Sequence, residues 1–181
     1  IVPVQDMLML MAVIAMFVGS LVAIYQVNVK RMLAYSSVAQ IGYMVLGLSF
    51  DTVTGVAAGI VHLFNHAVMK GGLFMALGAV AYRVGGVRLE HMAGLGKKMP
   101  WTMASFVAGG LGLIGVPLTV GFVSKWYLVQ AALEKGWWMI AVLIVICSLL
   151  AVIYVWRVVE VIYFLPASKV AREAKEAPLS M

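Results

Sequence analysis

Long apolar stretches joined by short polar links run the length of the chain. Met7–Tyr25 carries no charge, and with its flanks it predicts a helix over Asp6–Gln26. The link Val27-Asn28-Val29-Lys30-Arg31 follows, then a second helix over Met32–Phe50, a turn at Asp51 and Thr52, and a third helix over Thr54–Arg83. Each approaches or exceeds the roughly 20 residues that cross a bilayer as a helix. Val84–Pro100 holds Arg88, Glu90, His91, Lys97, Lys98 and several glycines, a pattern that predicts a solvent-exposed linker. Trp101–Val116 and Phe122–Lys135 together are longer than one straight crossing needs, with Pro117 and Gly121 between them. Proline lacks the backbone donor and clashes with the preceding turn, so a break is expected near Val116–Gly121. A last helix is expected over Trp137–Leu165, and a polar surface segment over Pro166–Met181. The fold class is all-α: a polytopic membrane protein of about five transmembrane helices, one of them broken at proline.

Composition sharpens this picture. Of 181 residues, 64% are hydrophobic and 11% charged, and the mean hydropathy of +1.05 excludes a soluble globular domain. The single Cys147 excludes an internal disulfide and suggests no thiolate metal site. The formal charge of +6 is explained by loops rather than by nucleic acid. With five crossings, Lys30, Arg31, Arg83, Arg88, Lys97, Lys98, Lys169, Arg172 and Lys175 fall on one side. Lys135, Asp6, Asp51 and Glu134 fall on the other. The positive-inside rule makes the first side cytoplasmic, with the start of the chain outside and its tail inside. The chain opens on Ile1 and ends on EAPLSM, which fits a piece of a longer polypeptide.

Candidate chemistry concentrates in VHLFNHAVMKGGLF, Val61–Phe74. An ionisable side chain at mid-membrane costs roughly 2.5–3.5 kcal/mol on insertion scales. Here His62, His66 and Lys70 recur every fourth residue, on one face of a helix, over about 12 Å of rise. Histidine titrates near neutrality, and such a file resembles part of a proton wire. Two hydrogen-bonded packing histidines are the plainer reading. A zinc pair at i and i+4 lacks an evident third ligand. Lys125 stands one turn past Gly121, on the second half of the broken helix, where transporters place ion sites. For both lysines the alternative is snorkelling to an interface. Lys30 and Arg31 read as interface anchors, and Arg157 and Glu160 as a structural pair three residues apart. Ser36, Ser37, Gln40 and Tyr43 fall broadly on one side of the second helix, to hold water or to satisfy packing. No phosphate loop, cysteine cluster or haem motif is present, so no cofactor, metal or redox chemistry is expected in this chain.

Three segments carry a resemblance: NVKRMLAYSSVAQIGYM (28–44), HLFNHAVMKGGLF (62–74) and GVPLTVGFVSKWYL (115–128). Together they resemble the antiporter-like membrane subunits shared by respiratory complex I (NADH:quinone oxidoreductase), membrane-bound hydrogenases and Mrp-type Na⁺/H⁺ antiporters. The last helix, YVWRVVEVIYF, looks most like the D-type member of the Mrp set. The resemblance implies two inverted five-helix repeats per subunit. Residues 1–165 then match the second repeat, and residues 166–181 a cytoplasmic link to a missing helix. It implies proton exchange at Lys125, a central hydrophilic axis at Lys70, connecting histidines at His62 and His66, and an axis role for Lys30. It implies other membrane subunits as partners, with protons, and Na⁺ in the Mrp case, as cargo. The expected function is proton translocation in a cation/proton antiporter of the Mrp type. The alternative is a proton-pumping membrane subunit of an NADH:quinone oxidoreductase or hydrogenase, and a non-conducting scaffold bundle comes last.

Overall fold

The computed structural model describes residues 4–178 of the chain. Residues 179–181, the end of the expected tail, lie outside the described residues. Eight α-helices follow one another among those described: α1 (Val4–Ile24), α2 (Val29–Ser49), α3 (Val53–Val84), α4 (Leu89–Met92), α5 (Pro100–Ile114), α6 (Val120–Glu134), α7 (Trp138–Tyr163) and α8 (Lys169–Glu173). Capping residues set the starts. Asn28, Thr52 and Thr119 each accept a hydrogen bond from the backbone N–H three residues on, opening α2, α3 and α6. α1, α2, α3 and α7 are long and apolar enough to cross a membrane. α5 and α6 have 15 residues each. At about 1.5 Å per residue neither spans alone, and α3 packs along both.

The helix break arises two residues before the proline. A residue preceding proline is pushed out of the α region, so the chain leaves the helix at Gly115 (φ 84°) rather than at Val116. The left-handed turn suits glycine. Leu118 (φ 76°) makes a second left-handed step without that licence, and Thr119 then starts α6, its hydroxyl donating to the Val116 carbonyl at 2.7 Å.

Two apolar clusters fill the bundle. One gathers Met32, Leu73, Met92, Met103, Val158 and their neighbours. The other gathers Met16, Tyr43, Leu46, Leu128, Ile144 and theirs. Along α2 the buried Ser36 and Gln40 fall between the members of the two clusters, as His62 and His66 do along α3, with Lys70 at the edge of the first cluster. Outward faces of α1 and α7 expose Leu10, Ile14, Val18, Val145, Leu149 and Ile153, the face a bilayer would cover.

Three expectations need correction. The link after α3 is not a plain exposed linker: Leu89, Met92, Leu95 and Met99 are buried in the first cluster. Their apolar spacing outweighs the charges between them, which stay at the surface. The segment after α7 is not only a polar surface segment. Ala171 and Ala174 are buried, and Glu176 closes the start of α5. Arg157 does not pair with Glu160. Its Nη1 donates instead to the carbonyls of Ile24 (2.7 Å) and Gln26 (3.2 Å). The end of α1 leaves unpaired carbonyls at its negative pole, a ready acceptor for a guanidinium.

Candidate functional site

The helical spacing of α3 puts His62, His66 and Lys70 on one buried face, at 0%, 9% and 6% exposure. Lys70 Nζ donates to the Leu33 carbonyl and the Ser36 hydroxyl of α2, both at 2.5 Å. The His62 and His66 rings stack nearly parallel, 10° apart, with centroids 6.4 Å apart. His62 bridges two further helices. Its Nε2 meets Gln40 Oε1 at 2.9 Å and its Nδ1 meets Ser124 Oγ at 2.8 Å. The amide oxygen can only accept, so Nε2 carries the hydrogen, and Nδ1 of the neutral ring accepts from Ser124. Both nitrogens are thus engaged, with no lone pair turned to a metal. His66 Nδ1 has no hydrogen-bond partner among the described residues.

Lys125, 6% exposed, occupies the break. The end of α5 frees its last carbonyls, and Nζ donates to those of Leu113 (2.8 Å) and Ile114 (3.0 Å). The ammonium also lies 4.8 Å from the centroid of the Tyr43 ring. Tyr43 itself is held by the Ile144 carbonyl and the Ser148 hydroxyl of α7, each at 3.3 Å. A cavity of about 390 Å³ opens at the break, lined by Gly115, Pro117, Phe122, Lys125, Ile144 and Ser148 among others. Asn65 Nδ2 donates to the Val120 carbonyl at 2.7 Å, which ties α3 to the first residue of α6.

Neither lysine meets a carboxylate: among the described residues the salt bridge lies on the link after α3, where Glu90 meets Arg88 and stands near His91. Each amine makes two donor bonds, and an ammonium has three N–H groups. A neutral amine can keep both bonds, so the third proton can leave without unmaking the site. Ser124 offers a matching device. Its hydroxyl can donate to neutral His62 or turn to the Gly121 carbonyl at 3.2 Å. The oxygen then accepts from a protonated ring.

The structure therefore brings together Lys70, His66, His62 and Lys125. Lys30 is exposed and stands apart from them. Of the polar side of α2, Ser36, Gln40 and Tyr43 join the site, while Ser37 bonds back to the Leu33 carbonyl at 3.1 Å. Ser124 was not visible from the sequence, because a serine in an apolar helix is commonplace. Its place directly before Lys125 was the available signal.

A family described as NADH:quinone oxidoreductase/Mrp antiporter, TM, matches residues 2–151. The chain is 46% identical over 161 residues to NADH-quinone oxidoreductase subunit N of Desulforudis audaxviator (strain MP104C), covering 89% of this chain and 32% of that protein. Among solved structures, it is similar to a chain of the membrane-bound sulfane sulfur reductase, an archaeal respiratory membrane complex. There the identity is 37% and the TM-score 0.87, over 97% of this chain and 35% of the other. A chain of the Mrp complex from Dietzia sp. DQ12-45-1b gives 32% identity and a TM-score of 0.86, over 91% and 31%. The chain spans about a third of the length of the curated relatives it matches. With more than half of its residues matched, and its helices arranged as theirs are, the chain belongs to the NADH:quinone oxidoreductase/Mrp antiporter family of membrane proteins.

Proposed function

We propose that this chain is the proton-conducting half of a membrane subunit in a respiratory oxidoreductase of the NADH:quinone type. The observation that carries the reading is the buried polar file that ends at a helix break with a carbonyl-held lysine. Lys70 passes a proton by way of His66 and His62 toward Lys125, and Lys125 exchanges it with one aqueous side through the cavity lined by Gly115, Pro117 and Phe122. The sequence carries no motif for electron transfer, so the driving reaction belongs to partner subunits. The oxidoreductase reading is preferred over a D-type Mrp protein because the 46% identical relative is an NADH-quinone oxidoreductase subunit N. The Mrp reading keeps support from the fold match to the Dietzia complex. Co-purification of the full-length protein decides between them: electron-transfer subunits favour the first, small antiporter subunits alone the second.

We also infer that residues 1–165 are the second of two five-helix repeats, and that the side bearing Lys97, Lys98 and Arg172 is cytoplasmic. A cysteine placed at Lys97 should then react with an impermeant maleimide only from the cytoplasmic face. Labelling from the opposite face reverses the orientation.

The test of conduction is Lys125→Ala in the full-length protein, within its native complex in sealed vesicles. Proton flux should collapse while the driving reaction and assembly persist. Wild-type flux from an assembled complex would make Lys125 a structural cap for α5 and remove it from the path.

A further inference from the structure

One buried polar group takes no part in the path above. Tyr154 of α7 is 1% exposed, and its hydroxyl has no hydrogen-bond partner among the described residues. It lies beside the Ser36 hydroxyl and the Gln40 amide, outside hydrogen-bonding geometry. These are the two α2 side chains that grip the ends of the α3 file, Ser36 at Lys70 and Gln40 at His62. They stand one helical turn apart, and so bracket the level of His66, which is one turn from both His62 and Lys70. His66 Nδ1 is the other file atom without a partner among the described residues. Around Tyr154, α7 presents apolar Ala151, Val155 and Val158 to the same cluster. Phenylalanine would fill that space without burying an unsatisfied hydroxyl, which is costly.

We propose that Tyr154 is a positioning residue for proton transfer along α3. Its hydroxyl holds a water against Ser36 and Gln40, at the junction between the Lys70 end and the histidine end. Three polar partners are enough to hold a buried water. In the transfer, the Ser36 hydroxyl turns from the Leu33 carbonyl to the water, and the Lys70 ammonium gives one proton to the Ser36 oxygen as that hydroxyl gives its own to the water. The water passes one on to His66 Nδ1. One N–H bond breaks at Lys70 and one forms at His66; the serine, the water and Tyr154 end with the protons they began with. The tyrosine hydroxyl fixes the water and is not itself a carrier. α7 thereby contributes to a path otherwise built from α2, α3 and α6.

This inference rests on the conducting reading of Lys70 and Lys125. Its test is Tyr154→Phe in the full-length protein, in its native complex in sealed vesicles. The ring is retained, so packing is unchanged. Flux should fall about five- to tenfold, the scale of one lost hydrogen bond in a transition state, and the solvent deuterium isotope effect on flux should rise. Ser36→Ala removes the relaying hydroxyl as well as a partner of the water, so it should lose more, and the double variant should be no slower than Ser36→Ala alone. Wild-type flux with an unchanged isotope effect in Tyr154→Phe overturns the proposal, as do fully additive losses in the double variant. Lys125→Ala in the same vesicles keeps the two claims apart. Loss of flux there, with normal Tyr154→Phe, sinks only the role of Tyr154; normal flux in both sinks the conducting reading itself.

Discussion

At the scale of single residues, Lys70, Lys125 and His62 each meet partners that tolerate two protonation states. Lys70 illustrates how cleanly this can be probed. The Ser36 hydroxyl already donates to the Leu33 carbonyl at 3.0 Å, so Lys70→Met leaves α2 with its own bonds intact. Flux should drop at least tenfold while the assembled complex keeps its thermal stability, measured side by side in detergent and in vesicles. Ser124→Ala differs because it strips His62 Nδ1 of its partner. Leaving a buried acceptor unmade costs about 1–3 kcal/mol, so this variant should lose both flux and several degrees of thermal midpoint. The lysines and histidines were legible in the sequence because a charge inside an apolar helix is expensive and therefore conspicuous. Gln40 and Ser124 were not legible as partners of His62. They come from helices 22 and 62 residues away in the chain, and only the packing reveals that they meet one ring.

At the scale of elements, the broken helix is the feature on which the proposed conduction depends. It was legible because Pro117 and Gly121 interrupt an apolar run too long for one crossing, although Gly115, not the proline, makes the turn. The break is also held tightly. A Cβ at Gly121 would collide with the backbone carbonyl of Gly112, and Met69 Sδ lies just beyond. Gly121→Ala should therefore push α6 from α5 and move Lys125 off the Leu113 and Ile114 carbonyls. Assembly yield should fall and residual flux should be lost, whereas Gly71→Ala, with nothing within 4 Å of its Cβ, should leave assembly unchanged in the same assay. The link Val84–Pro100 was misread for a physical reason. Leu89, Met92, Leu95 and Met99 repeat at helix-like spacing, a real burial signal, but intervening glycines and charges resemble a loop. Arg157 was misassigned on similar grounds. A carboxylate three residues away is the obvious partner in the sequence, whereas the end of α1 is a partner only in three dimensions.

At the scale of the whole molecule, the chain after α7 returns beneath the bundle and closes it. Ser168 accepts from the Ala171 N–H at 3.1 Å to start α8. Ala171 and Ala174 then pack into the first apolar cluster, and Glu176 reaches the N-terminus of α5. Its carboxylate accepts from the Trp101 N–H at 3.0 Å, from the Thr102 N–H at 3.4 Å and from the Thr102 hydroxyl. Its backbone carbonyl accepts from Arg83 Nη2 at 2.7 Å, at the end of α3. One short segment thus joins α3, the broken helix and α7. Partial burial alone would raise the Glu176 carboxyl, but the hydrogen bonds from Thr102, Trp101 and Ala177 outweigh it and hold the group below its ordinary value. A carboxyl depressed in the folded state contributes stability above its unfolded pKa, about 4.3 for glutamate. That contribution fades as pH falls toward the folded value. The segment should therefore stay docked at neutral pH and loosen under acid. Hydrogen exchange at the Trp101 and Thr102 amides should quicken below the ordinary carboxylate range, beyond what intrinsic exchange predicts. In Glu176→Gln the amides should exchange faster at neutral pH, with that acid-dependent change largely gone. Identical profiles for the two proteins would mean that the apolar anchors Ala171 and Ala174 hold the segment without help from the carboxylate.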